Sequence, residues 1–368
     1  MKILCTSDLH LGMKFAGYPE IQEQLSESRF TVLQKIVDIA NEKSCDLLVI
    51  AGDLFDRLSL SKKDIIRTAK MLNGFQGKAA AVLPGNHDYF IGTENPLWST
   101  FVDASGDRCI FLGEKKIFPL HHFDLPAVII PGPCDARHSG NHALHWLYSQ
   151  DEEIKSGDLA VGVIHGSIRT LSPDYDENYF PMTFEDLEKL PARLWIAGHT
   201  HKAQVRELSG STLVIPGTPE PDGFDYSGQA GVSIINTDTT PFSVERIETR
   251  RFVFIEEVRE VSSASDIEKL NAELSATADS MHCLKLVLKG RIDSDAFTIL
   301  GKLKEELDKR YGVFRLNDSS LLLKITQENI EEQFSRGSFP YQLLNALNSR
   351  GREEALQIAY DLLLGARK

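Results

Sequence analysis

The sequence predicts an α/β protein, a layered sheet with helices outside, and three observations carry that prediction. Short apolar runs alternate with stretches whose apolar residues recur at helical spacing through the first part of the chain. Later apolar runs are short and β-prone, and several stop at Gly, Pro or His. The length, 368 residues, exceeds the roughly 250 to 300 that one hydrophobic core encloses, so a large unit, a smaller satellite and a tail are expected.

Taken in order, Ile3 to Cys5 reads as a strand. Phe30, Leu33, Ile36, Val37 and Ala40 share one face of a helix, and Leu47 to Ala51 is the next strand. Ile65, Ile66, Ala69 and Leu72 mark a second helix, followed by a strand at Ala79 to Leu83. Ala127 to Ile130, Leu159 to Ile164, Leu194 to Ala197 and Leu213 to Ile215 continue as strands. After Phe252 to Val258 the texture changes. Ser265 followed by Glu268 forms a capping box for a helix with Ile267, Leu270 and Leu274 on one face. Leu284, Leu286 and Leu288 alternate as a strand, Phe297, Leu300, Leu303 and Leu307 repeat as a helix, and Leu321 to Ile325 closes as a strand. The expected division is a main domain over 1–258, a small α/β cap over 259–326 and a helical segment over 327–368. That last segment holds two helices, one with Leu343, Leu344 and Leu347 and one with Leu356, Ala359 and Leu363.

Composition removes several classes. Apolar residues make up 42% and charged residues 25%, as in an ordinary folded domain. No apolar run reaches the roughly 18 residues of a membrane span, and the N-terminus lacks the pattern of a signal peptide, so no membrane partner is expected. Five cysteines (Cys5, Cys45, Cys109, Cys134 and Cys283) include no Cys-x-x-Cys pair, which fits a reducing cytoplasm and no disulfide framework. A net charge of −13 excludes a protein that coats nucleic acid through a basic surface, though not a nuclease whose bound cations supply positive charge. From Lys285 to Lys324, nine Lys or Arg face six Asp or Glu, a local excess that reads either as solvated surface or as a DNA-facing patch.

The chemistry resides in five short segments that follow β-prone runs: Asp8-Leu9-His10, Gly52-Asp53, Gly85-Asn86-His87-Asp88, His165-Gly166 and Gly198-His199-Thr200-His201. Side chains at the carboxyl ends of strands in a layered sheet converge on one rim, so distant residues can meet there. Any one segment is an ordinary loop. The ordered set of Asp8, His10, Asp53, Asn86, His165, His199 and His201 is not, and these residue types ligate metals. His138, His142 and His145 read instead as surface histidines, because no Cys or clustered carboxylate accompanies them. His121 and His122 read as structural.

In those five motifs the sequence resembles the calcineurin-like metallophosphoesterases over residues 1 to about 255. The implied fold is a four-layer α/β/β/α sandwich, here with the small cap and the C-terminal helices appended. Gly52-Asp53-Leu54-Phe55-Asp56-Arg57, the Asp that ends Gly-Asn-His-Asp, and Pro216-Gly217-Thr218-Pro219-Glu220 are similar to SbcD-type DNA repair nucleases. The resemblance implies one cation on Asp8, His10, Asp53 and His201 and another on Asp53, Asn86, His165 and His199. Asp53 is then the bridge and Mn²⁺ the expected species. It also implies that His87 contacts the phosphate and assists the leaving 3′ oxygen as acid or transition-state stabiliser. Asp88 then either orients His87 or a ligand, or holds the turn. Two departures stand out: Asp56 where archaeal and eukaryotic relatives carry His, and Thr218 where Ser is frequent.

The resulting expectation is a two-metal DNA exonuclease in double-strand-break repair, partnered by DNA and by an SMC-like ATPase of the SbcC type that the C-terminal helices would grip. Self-association as a homodimer stays open. The competing readings are a phosphatase or small-molecule phosphodiesterase on the same site, and a DNA-end-binding scaffold. Asp56-Arg57 resembles the Ser/Thr phosphatases, whereas Asp88 departs from their Glu.

Overall fold

A computed structural model of the chain describes residues 1–92, 95–149, 154, 157–172, 174 and 176–366. It falls into two compact units, Met1–Phe254 and Ile255–Lys368. The first unit opens with β1 (Lys2–Thr6), α1 (Gln22–Glu42), β2 (Leu47–Ala51), α2 (Lys62–Asn73), β3 (Ala79–Leu83), α3 (Pro96–Ala104) and β4 (Cys109–Phe111). It continues through β5 (Phe118–Pro119), β6 (Ala127–Gly132), β7 (Leu159–His165), α4 (Phe184–Glu188), β8 (Leu194–Gly198) and β9 (Gln204–Glu207). β10 (Thr212–Ile215), β11 (Gly231–Asn236) and β12 (Ser243–Glu248) complete it.

Two six-stranded sheets form, ordered β12-β11-β1-β2-β3-β4 and β5-β6-β7-β8-β10-β9. β1, β2, β3 and β4 run parallel, as do β6, β7, β8 and β10, so each set delivers its carboxyl ends to one edge. Period-two alternation explains the layering. Ile3, Cys5, Leu47, Val49, Ala79, Ala81 and Leu83 point between the sheets and meet Ile129, Val161, Val163, Leu194, Ile196 and Val214. The intervening Leu4, Leu48, Ile50, Ala80 and Val82 face Leu33, Ile36, Ile65, Leu72 and Phe101 of the three helices. On the second sheet, Val128, Ile130, Ala160, Trp195, Ala197 and Leu213 are covered by Leu144, Met182 and Leu187. These strands are therefore buried on both faces, and each fully buried aliphatic side chain contributes about 1.5–3 kcal/mol. The architecture is the α/β/β/α sandwich, and among the described residues the α-helix over the second sheet, α4, spans five residues.

The second unit carries β13 (Val253–Val261), α5 (Ala264–Ala276), β14 (His282–Ile292), α6 (Ser294–Leu307) and β15 (Val313–Leu323), the three strands forming one sheet in that order. Ile267, Leu270, Leu284, Leu286, Leu288, Leu300 and Leu303 make its core. The cap predicted at Ser265 and Glu268 lies two residues earlier: the Ser263 hydroxyl accepts the Asp266 N–H at 3.3 Å. Likewise the last strand of that sheet begins at Val313, not Leu321, because polar Asn317 to Ser320 lie within it.

Among the described residues three helices follow rather than two: α7 (Gln327–Gln333), α8 (Phe339–Ser349) and α9 (Glu353–Gly365). Ile330 of α7, with Ile325 before it and Phe334 after it, buries against Leu344 and Leu356. Among the described residues no helix is long and apolar enough to cross a membrane.

Candidate metal centre

Each predicted donor leaves the end of a strand. Past β1 the chain stays beside the loop after β2, with the Asp8 N–H donating to Gly52 O at 3.1 Å and the His10 N–H to Asp53 O at 3.0 Å. His165 closes β7, and His199 and His201 follow β8. Asp8, His10, Asp53 and His199 all adopt positive φ, at 55°, 46°, 50° and 88°. Left-handed backbone costs a non-glycine residue roughly 1–2 kcal/mol, and such strain concentrates where function demands it. Two glycines make the approach feasible. A Cβ on Gly52 (φ 87°) would stand 2.1 Å from His165 Nδ1, and one on Gly85 2.2 Å from Asp53 Oδ1.

All seven donors meet in one cluster. Asp8, His10, Asp53, Asn86 and His165 are buried, while His199 and His201 are partly exposed at the mouth. His165 Nε2 lies 3.2 Å from Asp53 Oδ2 and 3.0 Å from Asn86 Oδ1, and His199 Nδ1 lies 3.2 Å from the same amide oxygen. On the other side His10 Nε2 is 3.8 Å from Asp53 Oδ2, and His201 Nε2 is 3.9 Å from Asp8 Oδ1. The His165 Nδ1–H donates to Ala51 O at 2.9 Å, which fixes the ring and aims Nε2 into the cluster.

Burial works to raise the Asp53 carboxyl, but the imidazoles of His165, His10 and His87 outweigh it and hold it below the ordinary range. Burial opposes a charge on His165, yet the Asp53 carboxylate lifts that imidazole to about 9. His10 goes the other way: burial, against the pull of Asp53, keeps it neutral. His199 is lowered to about 3 by burial and then by His165.

His10 supplies the test of fit for a metal. Neither of its ring nitrogens has a hydrogen-bond partner among the described residues, although the residue is 2% exposed. A buried, unsatisfied imidazole is costly, and a cation on its lone pair removes the share of that cost that the acceptor nitrogen carries. Donor atoms of Asp8, His10 and His201, and of Asp8, Asp53 and His165, lie within 4.8 Å of one another. Imidazole, carboxylate and amide donors together suit Mn, Fe or Zn better than Ca.

His87 adjoins this set, with a ring nitrogen within 4.8 Å of donor atoms of His10 and Asp53. Its N–H donates to Asp53 Oδ1 at 2.8 Å, and its ring stands 4.7 Å from that of His10. His87 Nδ1 is 3.0 Å from Asp56 O, a group that can only accept, so Nδ1 carries the hydrogen and Nε2 is left for chemistry. Asp88 does not orient His87. Its Oδ1 accepts the Gly85 N–H at 2.7 Å and its Oδ2 the Phe55 N–H at 2.9 Å, which clamps together the loops after β2 and β3. Arg57 is likewise a brace, its guanidinium donating to Gly12 O at 2.8 Å and Ser59 O at 3.2 Å. Among the described residues His138, His142 and His145 form no donor group within metal reach.

Sequence reasoning passed over Arg29, which is 1% exposed and donates through Nη1 to Leu9 O at 2.7 Å. The signal was present, because Arg29 stands four residues before Leu33 and seven before Ile36 on the buried face of α1. Glu220 was also passed over as a brace; it accepts from Ser28 Oγ at 2.6 Å and from the N–H groups of Arg251 and Phe252.

Residues 1–203 match the calcineurin-like phosphoesterase family. The chain is 24% identical to the uncharacterized metallophosphoesterase YhaO of Bacillus subtilis, a likeness covering 77% of this chain and 70% of that protein. It is also 24% identical to the DNA double-strand break repair protein Mre11 of Archaeoglobus fulgidus, covering 90% of this chain and 77% of the other. Among solved structures, TT1561 of Thermus thermophilus superposes with a TM-score of 0.42 at 12% identity, over 67% of this chain and 98% of its own.

Proposed function

Since the chain belongs to the calcineurin-like phosphoesterase family, we propose that it is a DNA exonuclease that hydrolyses phosphodiester bonds at a dinuclear centre, with Mn²⁺ the expected metal. In this reading Asp8, His10, Asp53 and His201 hold one cation, and Asp53, Asn86, His165 and His199 the other. The observation that carries it is the placement of Asp53 Oδ2, 3.2 Å from His165 Nε2 and 3.8 Å from His10 Nε2, so that one oxygen faces both donor sets. Bound there, two cations would polarise the diester phosphate and lower the pKa of an attacking water.

The side chains supply the rest. With its Nδ1–H held by Asp56 O, the His87 ring donates from Nε2 to the leaving oxygen only in its doubly protonated, imidazolium form. Asp88 keeps Asn86 and Asp53 in register through its two backbone contacts. DNA as substrate is supported by the likeness to the Mre11 repair protein along 90% of this chain, which extends well past the family match. An SMC-like ATPase partner on the C-terminal helices belongs to the same proposal.

The test sets end-labelled duplex DNA beside p-nitrophenyl phosphate, with Mn²⁺ and with EDTA. Cleavage from DNA ends that needs Mn²⁺ and far exceeds monoester hydrolysis is expected. Strong monoesterase activity without DNA cleavage would establish the phosphatase reading instead, and end binding without any hydrolysis the scaffold reading.

A further inference from the structure

The two halves of the centre are held by different means. Asn86, His165 and His199 contact one another directly, and His165 is anchored on Ala51 O. Asp8, His10 and His201 stand further apart, with 3.9 Å between His201 Nε2 and Asp8 Oδ1. The Asp8 carboxylate accepts the His199 N–H at 3.1 and 3.2 Å, the Asp8 and His10 N–H groups rest on Gly52 O and Asp53 O, and two side chains brace the same backbone from the other side. Arg29 Nη1 donates to Leu9 O, the carbonyl between Asp8 and His10, at 2.7 Å. The Thr218 hydroxyl lies 3.0 Å from Asp8 O and 2.8 Å from Glu220 O, two carbonyls that share its one hydrogen, and the Thr218 N–H donates to His201 O at 2.9 Å.

Arg29 is an expensive way to hold one carbonyl. A guanidinium that is 1% exposed loses its hydration, and among the described residues neither its Nε nor its Nη2 finds a hydrogen-bond acceptor. The Phe15 ring lies 5.2 Å from its Cζ. The carboxylates of Asp222, Glu220, Asp56 and Asp8 balance its charge. An apolar residue at the same point of the α1 core face would avoid the desolvation cost, but it could neither hold Leu9 O nor offset carboxylates that otherwise repel one another before a cation binds.

We propose that Arg29 is a positioning residue for the cation on Asp8, His10 and His201, acting through the Leu9 carbonyl, with Thr218 as the second support of the same half. This rests on the two-metal reading above. Loss of either support loosens one half of the centre and leaves the Asn86, His165 and His199 half intact.

The full chain, stripped with EDTA and desalted, is titrated with Mn²⁺ while the free ion is followed by EPR, alongside thermal denaturation. Wild-type protein that binds no Mn²⁺ overturns the two-metal reading itself. With two ions on the wild type, Arg29→Met is expected to keep one binding constant within about twofold and weaken the other by about tenfold or more, the scale of a lost outer support. Arg29→Lys recovers part of that loss, Thr218→Val weakens the same ion, and Thr218→Ser does not. Arg29→Met adds nothing to His201→Ala but adds fully to His199→Ala. Equal weakening of both ions, or two unchanged constants with only a lowered Tm, shows a purely structural brace and overturns the proposal. If Arg29→Met does not fold, Arg29→Lys and Thr218→Val decide by the same criterion.

Discussion

The backbone N–H of His87 donates to Oδ1 of Asp53 at 2.8 Å, so the residue proposed to assist the leaving group is tied by its main chain to the carboxylate proposed to bridge the metals. With Oδ1 engaged, Oδ2 is the oxygen presented to His165 and His10. Asp53→Asn keeps the shape and an oxygen for His87 but places a neutral amide between the imidazoles. Because outer-shell changes alone lower metal affinity roughly 10- to 100-fold, this ligand change should exceed about 10²-fold and remove diester cleavage. Metal analysis after gel filtration checks it; a variant that retains two ions would remove Asp53 from the bridge.

His87→Ala preserves that main-chain bond, since only the imidazole is lost. Two ions and DNA binding should persist while cleavage falls by about 10² or more. Single-turnover cleavage at the wild-type rate would show that His87 has no part in the chemistry.

Asp88→Ala strips the acceptors from two buried N–H groups, Gly85 and Phe55, on the two loops that carry Asn86 and Asp53. Each unsatisfied buried donor costs about 1–3 kcal/mol, so both Tm and metal affinity should drop. An unchanged denaturation curve would mean that the clamp is dispensable.

His165 Nε2 faces the Asp53 and Asn86 oxygens at 3.2 and 3.0 Å, and the Asp53 carboxylate raises its pKa to about 9. The imidazole is then protonated at pH 7 and must lose that proton to ligate, whereas His10 and His199 are held low and are already neutral. Mn²⁺ uptake at pH 7 should therefore release about one proton from His165, and apparent affinity should rise as pH approaches about 9. Calorimetry in buffers of different ionisation enthalpy measures the release. No proton release at pH 7 would contradict this assignment.

Much of this site was legible because parallel strands buried on both faces leave a plain record: an apolar run, a glycine or turn, then a donor. Ile3 to Cys5 followed by Asp8 and His10, and Leu47 to Ala51 followed by Asp53, are of that kind. Legibility fails where contacts act across the fold. Nothing local to Asp88 announces a bond to Phe55 N, and nothing local to Arg29 announces Leu9 O. It also fails for the exposed edge strand β15, where polar Asn317 to Ser320 interrupt the apolar pattern before Leu321, and for α7, too short to show periodicity although it supplies Ile330 to the terminal core. β11 and β12, which extend the first sheet beyond β1, were passed over for want of a strong apolar run in β12.

Within the C-terminal helices, Ile358 and Leu362 stay 56% and 69% exposed one turn apart on α9, while Leu344 and Leu356 serve the internal core. The double substitution Ile358→Asp with Leu362→Asp should leave Tm and Mn²⁺-dependent cleavage of short DNA unchanged and abolish co-purification with an SMC-like ATPase. Undiminished association would count against the proposed docking of an ATPase on these helices.

The most direct test of the account is to follow metal content and diester cleavage together on one sample. The protein is stripped with EDTA and reloaded stepwise with Mn²⁺, with bound metal measured by mass spectrometry at each step. Two ions per chain and cleavage that returns only as the second ion binds are the predicted result; full cleavage by protein whose bound metal is near zero would contradict it.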